Sequence, residues 1–181
     1  MPFSQTEIEG LIVFQPRIFA DDRGYFFESY NQKLFSENGI TADFVQDNQS
    51  FSSYGTIRGL HFQTGDSAQA KLVRVINGEV LDVAVDIRPN SQTFGKYFSI
   101  VLSGENQKQF FIPRGFAHGF SVLSETAIFS YKCDNFYDKQ AESGLIYSDE
   151  YLNIDWQIPA DKCQLSEKDL LLPTFKTLFP N

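Results

Sequence analysis

Short apolar runs, each bounded by turn-forming residues, follow one another through almost the whole sequence. No repeat, low-complexity tract or linker rich in proline, glycine and serine interrupts this pattern. Aromatic residues make up 15% of the chain, and such bulky side chains favour strands over helices. The length of 181 residues fits one hydrophobic core. We therefore expect an all-β fold, an antiparallel sandwich or barrel, in a single domain over residues 1–181.

The positions of the apolar runs predict the elements. Predicted strands cover residues 11–15, 24–30, 44–51, 56–63, 71–76, 79–87, 97–102, 109–112, 118–123 and 126–133. Helices are predicted only over 31–38, which Gly39 ends, and over 166–172, which Pro173 ends.

Asn77-Gly78 stands between two strand-like runs and is typical of a two-residue type I′ hairpin turn. Such a turn would pair the strands on either side of it. Lys71 would then lie diagonal to Asp82 on one face. The same face would carry the small apolar residues Val73, Val75, Val80 and Ala84.

A second hairpin is predicted at Ser124-Glu125. It would place His118 opposite Tyr131 on the paired strand. Their shared face also carries the apolar residues Phe120, Val122, Ala127 and Phe129. Polar tips at one end of an apolar interior indicate a binding site.

The charge limits the partners. With 15 Lys and Arg against 23 Asp and Glu, the net charge is −8, so the field of the protein repels a nucleic acid polymer. A small anionic ligand is compatible with this charge, because a few converging cations can hold a phosphate. Because no apolar run approaches the roughly 20 residues of a membrane span and the first residues do not form a signal peptide, we expect a cytoplasmic protein with no membrane partner.

Histidine and cysteine are scarce. His61 and His118 are the two histidines, and the sequence has no HxH, HExxH or Cys/His cluster. Cys133 and Cys163 lack metal-ligand spacing and are predicted to be free thiols. We therefore expect neither a metal nor another cofactor. A histidine in a pocket is suited to act as a general base, because its ordinary pKa of about 6.5 leaves it mostly neutral at pH 7.

Three segments carry a family resemblance: Arg58-Gly59-Leu60-His61-Phe62-Gln63, Lys71-Leu72-Val73-Arg74-Val75, and Ile112-Pro113-Arg114-Gly115-Phe116-Ala117-His118-Gly119-Phe120. In order and spacing they resemble the motifs of the dTDP-4-dehydrorhamnose 3,5-epimerase family, and the likeness extends over about residues 11–172. The resemblance implies a cupin-like jelly roll with a few short peripheral helices, usually a homodimer, and a dTDP-linked 4-keto-deoxyhexose as the substrate.

The resemblance also implies roles for individual residues. His61 would be the base, Asp169 its supporting carboxylate, Lys71 the stabiliser of developing negative charge and Tyr131 the acid. Asp82 would help to keep Lys71 charged. The residues implied in substrate binding are Arg23, Glu28, Gln46, Asn48, Arg58, His118, Tyr137, Glu142 and Lys168.

Two details complicate this assignment. An ideal strand sends Arg58 and His61 to opposite faces, and a β-bulge at Gly59 would bring them to one face. Ser166-x-x-Asp169 also matches a capping box, so Asp169 is open to a second interpretation as a helix cap only.

Three functions remain open. The chain would epimerise dTDP-4-keto-6-deoxyglucose at C3 and C5, in dTDP-rhamnose biosynthesis. The alternatives are an epimerase that acts at C3 or C5 alone and a non-catalytic sugar-binding jelly roll. Relatives that act as ketoisomerases are disfavoured, because they carry a second histidine at the position of Gln63.

Overall fold

The computed structural model of the chain describes residues 2–180, and strands dominate it. The strands are β1 (Phe3–Gln5), β2 (Ile12–Phe14), β3 (Phe19–Asp21), β4 (Gly24–Phe26), β5 (Gln46–Ser53), β6 (Ile57–Gln63), β7 (Lys71–Asn77), β8 (Glu79–Asp86), β9 (Tyr97–Ser103), β10 (Gln109–Ile112), β11 (Phe116–Val122), β12 (Thr126–Cys133) and β13 (Glu142–Gly144). The helices are α1 (Gln32–Glu37), α2 (Glu167–Leu170) and α3 (Phe175–Leu178).

Two antiparallel sheets pack face to face. The six-stranded sheet has the order β1-β2-β10-β7-β12-β5, and the five-stranded sheet has the order β13-β6-β11-β8-β9. The hairpin β3-β4 forms a separate two-stranded sheet. Chain neighbours such as β7 and β8 lie in different sheets, which is the connectivity of a jelly roll. The predicted all-β, cupin-like fold with a few short helices is confirmed.

Both predicted hairpins are wrong. β7 pairs with β10 and β12, whereas β8 pairs with β11 and β9. The Asn77-Gly78 connection therefore crosses between sheets instead of reversing within one. Gly78 is required for another reason: its φ is +82°, and a Cβ there would collide with the carbonyl oxygen of Thr126.

The second connection also crosses between the sheets. β11 pairs with β6 and β8, and β12 pairs with β5 and β7. Ser124 fixes this corner, because its hydroxyl accepts the Glu79 N–H at 2.7 Å and donates to the Thr126 carbonyl at 2.8 Å. Short loops at jelly-roll corners resemble hairpin turns in sequence, and only long-range strand pairing separates the two.

The predicted inward faces are nevertheless confirmed. One apolar cluster contains Val73 and Val75 from β7, Val80 and Ala84 from β8, Phe120 and Val122 from β11, and Ala127 and Phe129 from β12. Each strand alternates inward and outward side chains whichever strand it pairs with. The same residues therefore share the interior across the sandwich instead of along a hairpin.

Strand β6 carries the predicted irregularity at Gly59. Across to β11, His61 pairs with His118 and Arg58 pairs with Phe120, so β6 has one residue more than β11 in this interval. Gly59 has a φ of +125°, and a Cβ on it would lie 2.6 Å from the Cα of Gly119. The extra residue brings Arg58 and His61 to the same face, as expected for a β-bulge.

The C-terminal segment covers the outer face of the five-stranded sheet. Trp156 and Phe175 pack there against residues such as Leu81, Val83 and Val85. Between these two residues in the chain, Gln164 forms a parallel bridge with Thr56 beside β6. The predicted second helix is shortened to α2, with Ser166 as its N-cap. No helix within residues 2–180 is long and apolar enough to cross a membrane.

Candidate active site

A cavity of about 620 Å³ lies between the two sheets, next to the segment that precedes α2. Its walls combine charged, polar and aromatic side chains. They are Asn48, Gln49, Ser50, Thr56, Ile57, Arg58, His61, Lys71, His118, Phe120, Phe129, Tyr131, Gln164, Leu165, Ser166, Lys168 and Asp169.

His61 and Asp169 form a hydrogen-bonded pair on one side of the cavity. His61 lies on β6, and its Nε2 is 2.7 Å from Oδ1 of Asp169. The Asp169 side chain is 6% exposed. Burial opposes its ionisation, but hydrogen bonds from His61, the Gly59 N–H and Ser166 outweigh burial and hold the pKa of Asp169 below its ordinary value.

The capping interpretation accounts for only part of this geometry. The Ser166 hydroxyl does accept the backbone N–H of Asp169 at 3.1 Å, which is half of a capping box. The Asp169 carboxylate turns to His61. One short helix therefore both carries this carboxylate and fixes its direction.

Lys71 and Tyr131 lie on the six-stranded sheet, which forms the other side of the cavity. β7 and β12 are paired, and the Lys71 ammonium lies 5.9 Å from the centre of the Tyr131 ring. Burial raises the pKa of Tyr131, so this phenol stays protonated at neutral pH. Burial also lowers the pKa of Lys71, while the charges of Cys133, Asp82 and Glu142 counteract part of that effect.

His118 and Asp82 form a second imidazole–carboxylate pair beneath the cavity. His118 Nε2 lies 3.0 and 3.1 Å from the two Asp82 oxygens, and Asp82 is fully buried. Burial lowers the pKa of His118, and Asp82 opposes that shift. The predicted diagonal contact between Lys71 and Asp82 along a hairpin is therefore wrong. Asp82 binds His118 and reaches Lys71 through its field, because β7 and β8 face each other across the interior.

The predicted polar residues form a connected cluster at the edge of the cavity. Gln46 donates to Asn48 Oδ1 at 3.1 Å and accepts the Tyr137 N–H at 3.1 Å. Glu142 Oε2 accepts the Tyr137 hydroxyl at 2.8 Å and pairs with the Lys168 ammonium at 2.5 Å. Gln46 and Glu142 thus bind residues of the cavity wall, and Tyr137 binds both of them. None of the three lines the cavity itself.

Arg23 and Glu28 do not belong to this cluster. Within residues 2–180, neither lines the cavity. Arg23 lies in the β3–β4 hairpin, where its guanidinium pairs with Asp21 at 2.6 Å and is 89% exposed. The structure of one chain therefore does not bring these two predicted residues to the cavity.

Some residues of the cavity were missed by the sequence analysis. Ser50 lines the cavity and continues the inward alternation of Gln46 and Asn48 along β5, so strand periodicity could have found it. Ser52, the next inward residue, is buried outside the cavity wall. Ser52 accepts a hydrogen bond from Arg58 Nε at 3.1 Å. Gln164 and Ser166 come from irregular chain that only tertiary packing places beside β6.

Metal ligands are not gathered anywhere in the part of the chain that the structure describes. Residues 2–180 contain no group of three or more His, Cys, Asp and Glu side chains that could hold a metal ion. Both cysteines are free thiols, as predicted. The cavity instead offers two imidazole–carboxylate pairs, an amine and a phenol, which are groups for moving protons.

The fold and the site define the class of this protein. It is a cupin-like jelly-roll enzyme that has acid–base groups on both sides of its interior. A family model for dTDP-4-dehydrorhamnose 3,5-epimerase matches residues 5–177. A dTDP-4-dehydrorhamnose 3,5-epimerase of Shigella flexneri is 53% identical over 167 residues, which cover 92% of this chain and 91% of that protein.

Solved structures agree with this match. The crystal structure of the enzyme of that name from Elizabethkingia anophelis aligns with a TM-score of 0.93 at 55% identity, over 97% of this chain and 96% of that one. A Legionella pneumophila epimerase crystallised with dTDP-4-keto-L-rhamnose aligns with a TM-score of 0.92 at 48% identity, over 95% and 91% of the two chains. The chain belongs to the dTDP-4-dehydrorhamnose 3,5-epimerase family.

Replacement of Lys71 by Met should stabilise the protein while it removes activity. Within residues 2–180 no carboxylate forms an ion pair with Lys71, so its buried charge costs free energy that an apolar chain of similar length avoids. We expect Lys71→Met to raise the free energy of unfolding by about 1 to 2 kcal/mol at pH 7, measured by urea denaturation.

The pH dependence of this gain follows from the lowered pKa. The cost of the folded ammonium is full below the pKa of folded Lys71 and disappears above 10.5, the ordinary value, because the amine is then neutral in both states. The stability difference should therefore shrink as the pH approaches 10.5. Lys96→Met, at an exposed position, is the control and should change little. A destabilised Lys71→Met variant would contradict the prediction.

Proposed function

We propose that this chain epimerises dTDP-4-keto-6-deoxyglucose at C3 and C5 to dTDP-4-dehydrorhamnose, a step of dTDP-rhamnose biosynthesis. The observation that carries the proposal is the division of acid–base groups between the sheets. His61 with Asp169 lies on the side of the five-stranded sheet, and Tyr131 with Lys71 lies on the six-stranded sheet. A sugar ring between them would have a base at one face and an acid at the other.

The chemistry requires this arrangement. A ketone at C4 acidifies the protons on C3 and C5, and a base that removes one of them leaves an enolate. The His61 imidazole is suited to take the proton, and the ionised Asp169 carboxylate, 2.7 Å away, would stabilise the imidazolium that forms. Return of a proton to the opposite face inverts the carbon.

Lys71 and Tyr131 complete the step. A cation beside the developing oxyanion in a partly desolvated cavity lowers the barrier by several kcal/mol, and Lys71 is the amine in the cavity wall. Tyr131 retains its proton at neutral pH because burial raises its pKa. It can therefore donate a proton to the face that His61 does not reach. His118 would orient the sugar, and Asp82 would help to hold Lys71 charged.

The remaining polar groups suit a nucleoside diphosphate. Arg58 and Lys168 are cations in the cavity wall, and an arginine fork binds phosphate oxygens in a bidentate manner. Gln46 and Asn48 would add hydrogen bonds. Tyr137, 55% exposed beside Glu142, would stack on the base. We further propose that the reaction uses no metal or other cofactor and takes place in the cytoplasm, where free thiols such as Cys133 persist.

We also propose a homodimer in which the β3–β4 hairpin serves the neighbouring subunit. Three large apolar side chains on this hairpin are exposed, Phe19 at 51%, Tyr25 at 60% and Phe26 at 70%. An isolated two-stranded hairpin is marginal alone, and such a patch marks an interface. A second copy would cover this patch. Arg23 and Glu28 of one subunit would then lie at the cavity of the other subunit.

Two alternative functions differ from this proposal in the carbons at which the sugar would exchange protons. An epimerase that acts only at C3 or only at C5 would use the same residues and exchange one position. A non-catalytic sugar-binding jelly roll would exchange none. The paired base and acid favour catalysis, because binding alone requires no buried imidazole–carboxylate pair.

The central test is proton exchange in D₂O. Incubated with dTDP-4-keto-6-deoxyglucose, the protein should incorporate deuterium at C3 and C5 and invert both carbons, as read by NMR. His61→Asn should abolish incorporation, because the replacement offers no base. Exchange at one carbon alone would establish the single-position alternative, and a His61→Asn variant that exchanges at the native rate would place the base elsewhere.

Tyr131→Phe should separate exchange from inversion. The substitution removes one hydroxyl and leaves the fold and His61 intact. His61 would still remove a proton and return one to the same face, so the NMR assay should show deuterium with retained configuration. The rate of inversion should fall ~10²–10⁴-fold, the range for loss of a general acid. Inversion at the native rate would contradict the role of Tyr131.

The dimer is tested by mass and by complementation. Sedimentation should give twice the chain mass of 20.6 kDa. Arg23→Ala and His61→Asn subunits, each weakly active or inactive alone, should regain activity when mixed. One cavity of each mixed dimer then combines an intact His61 with the partner's intact arginine. Absence of complementation in confirmed mixed dimers would show that Arg23 does not act across the interface.

A further inference from the structure

The loop that carries Tyr137 leaves the six-stranded sheet at the end of β12 and joins the five-stranded sheet at β13. Phe136 and Tyr137 at its tip are 66% and 55% exposed. Little apolar packing therefore holds these two rings, and we call them the aromatic platform. A ring that stacks on a ligand must stay in place without the ligand, or binding carries the cost of ordering it. The backbone that holds the platform consequently determines part of the affinity.

Gln63 holds that backbone. It ends β6, is 8% exposed and lies two residues beyond His61. Its Nε2 donates to the carbonyls of Ser67 at 2.6 Å and Phe136 at 3.2 Å. Its Oε1 accepts the N–H of Asp138 at 2.7 Å. The amide thus binds the backbone on both sides of Tyr137 and ties it to the turn after β6.

Other bonds connect the same two segments without replacing this amide. The Ser67 hydroxyl donates to Asp138 Oδ2 at 3.0 Å, and the Gln69 amide donates to the Asn135 carbonyl at 2.7 Å. Gln63 is the buried member of this array. Water cannot easily replace the hydrogen bonds of the Gln63 amide at this buried position. Loss of the amide therefore leaves buried backbone groups without partners.

We propose that Gln63 is a positioning residue for nucleotide recognition: it fixes the aromatic platform, and so sets affinity for the nucleoside part of the substrate without a part in the proton transfers. This inference rests on the proposed function, because it takes Tyr137 as the surface on which the base stacks. It gives a physical role to the position where a glutamine stands instead of a second histidine.

The test uses Gln63→Met, which keeps the length of the side chain and removes all three hydrogen bonds. Hydrogen exchange of the backbone amides of residues 136–140 should become about tenfold faster, whereas that of residues 56–62 should not change. The Kd of TDP and the KM of the nucleotide sugar should each rise about tenfold. The kcat should stay within about twofold, and binding of inorganic pyrophosphate should be unaltered, because Arg58 and Lys168 are untouched.

Two further variants serve as a control and as a substitute for Gln63→Met. Ser121→Ala removes a buried hydrogen bond to the Trp156 carbonyl, on the opposite face of the five-stranded sheet, and should leave TDP binding unchanged. If Gln63→Met does not fold, Ser67→Ala carries the test, since it removes only the bond to Asp138 and should weaken TDP binding about threefold.

Faster loop exchange with an unchanged Kd for TDP would overturn the inference, as would equal losses of TDP and pyrophosphate binding. A fall in kcat with an unchanged KM would also overturn it. These binding and exchange measurements need no turnover. Failure of the wild-type protein to exchange deuterium into the sugar would overturn the proposed function alone.

Discussion

The close contact between β6 and β11 determines the geometry of the cavity. Two glycines permit it: a Cβ on Gly59 would lie 2.6 Å from the Cα of Gly119, and a Cβ on Gly119 would lie 2.7 Å from the Arg58 carbonyl oxygen. The extra residue that β6 accommodates here turns Arg58 and His61 to one face. Without it, Arg58 and His61 would face opposite sides of the sheet.

Electrostatics gives the cavity its chemical asymmetry. Each histidine has its own buried carboxylate, and the two histidines are neighbours in the register of β6 and β11. Burial lowers the pKa of His118 and Lys71 and raises that of Tyr131. Such opposed shifts in one cavity are typical of acid–base sites. The rings of Phe120 and Phe129 stack with their centres 4.2 Å apart and form an apolar part of the cavity wall.

Alternation along the strands made the interior predictable, although strand pairing was not. Val73 and Val80 were expected to share a face of one hairpin and Phe120 and Phe129 a face of another, and all four lie in one core. The pairing failed because Asn77-Gly78 gives the same local signal in a hairpin and in a corner between sheets. The type of side chain on each face depends on local periodicity, whereas the neighbouring strand depends on the whole topology.

The sequence by itself determined the fold class, the inward residues, the bulge at Gly59 and the family motifs, because all of these depend on short-range pattern and residue type. Tertiary structure decided which residues from distant parts of the chain lie next to each other. The pairing of Asp169 with His61, of Asp82 with His118, and the placement of Gln164 beside β6 each join distant chain segments. Tertiary structure also decided that Arg23 does not line the cavity of its own chain. Contacts of this kind arise from packing two sheets against each other, and no local sequence rule specifies them.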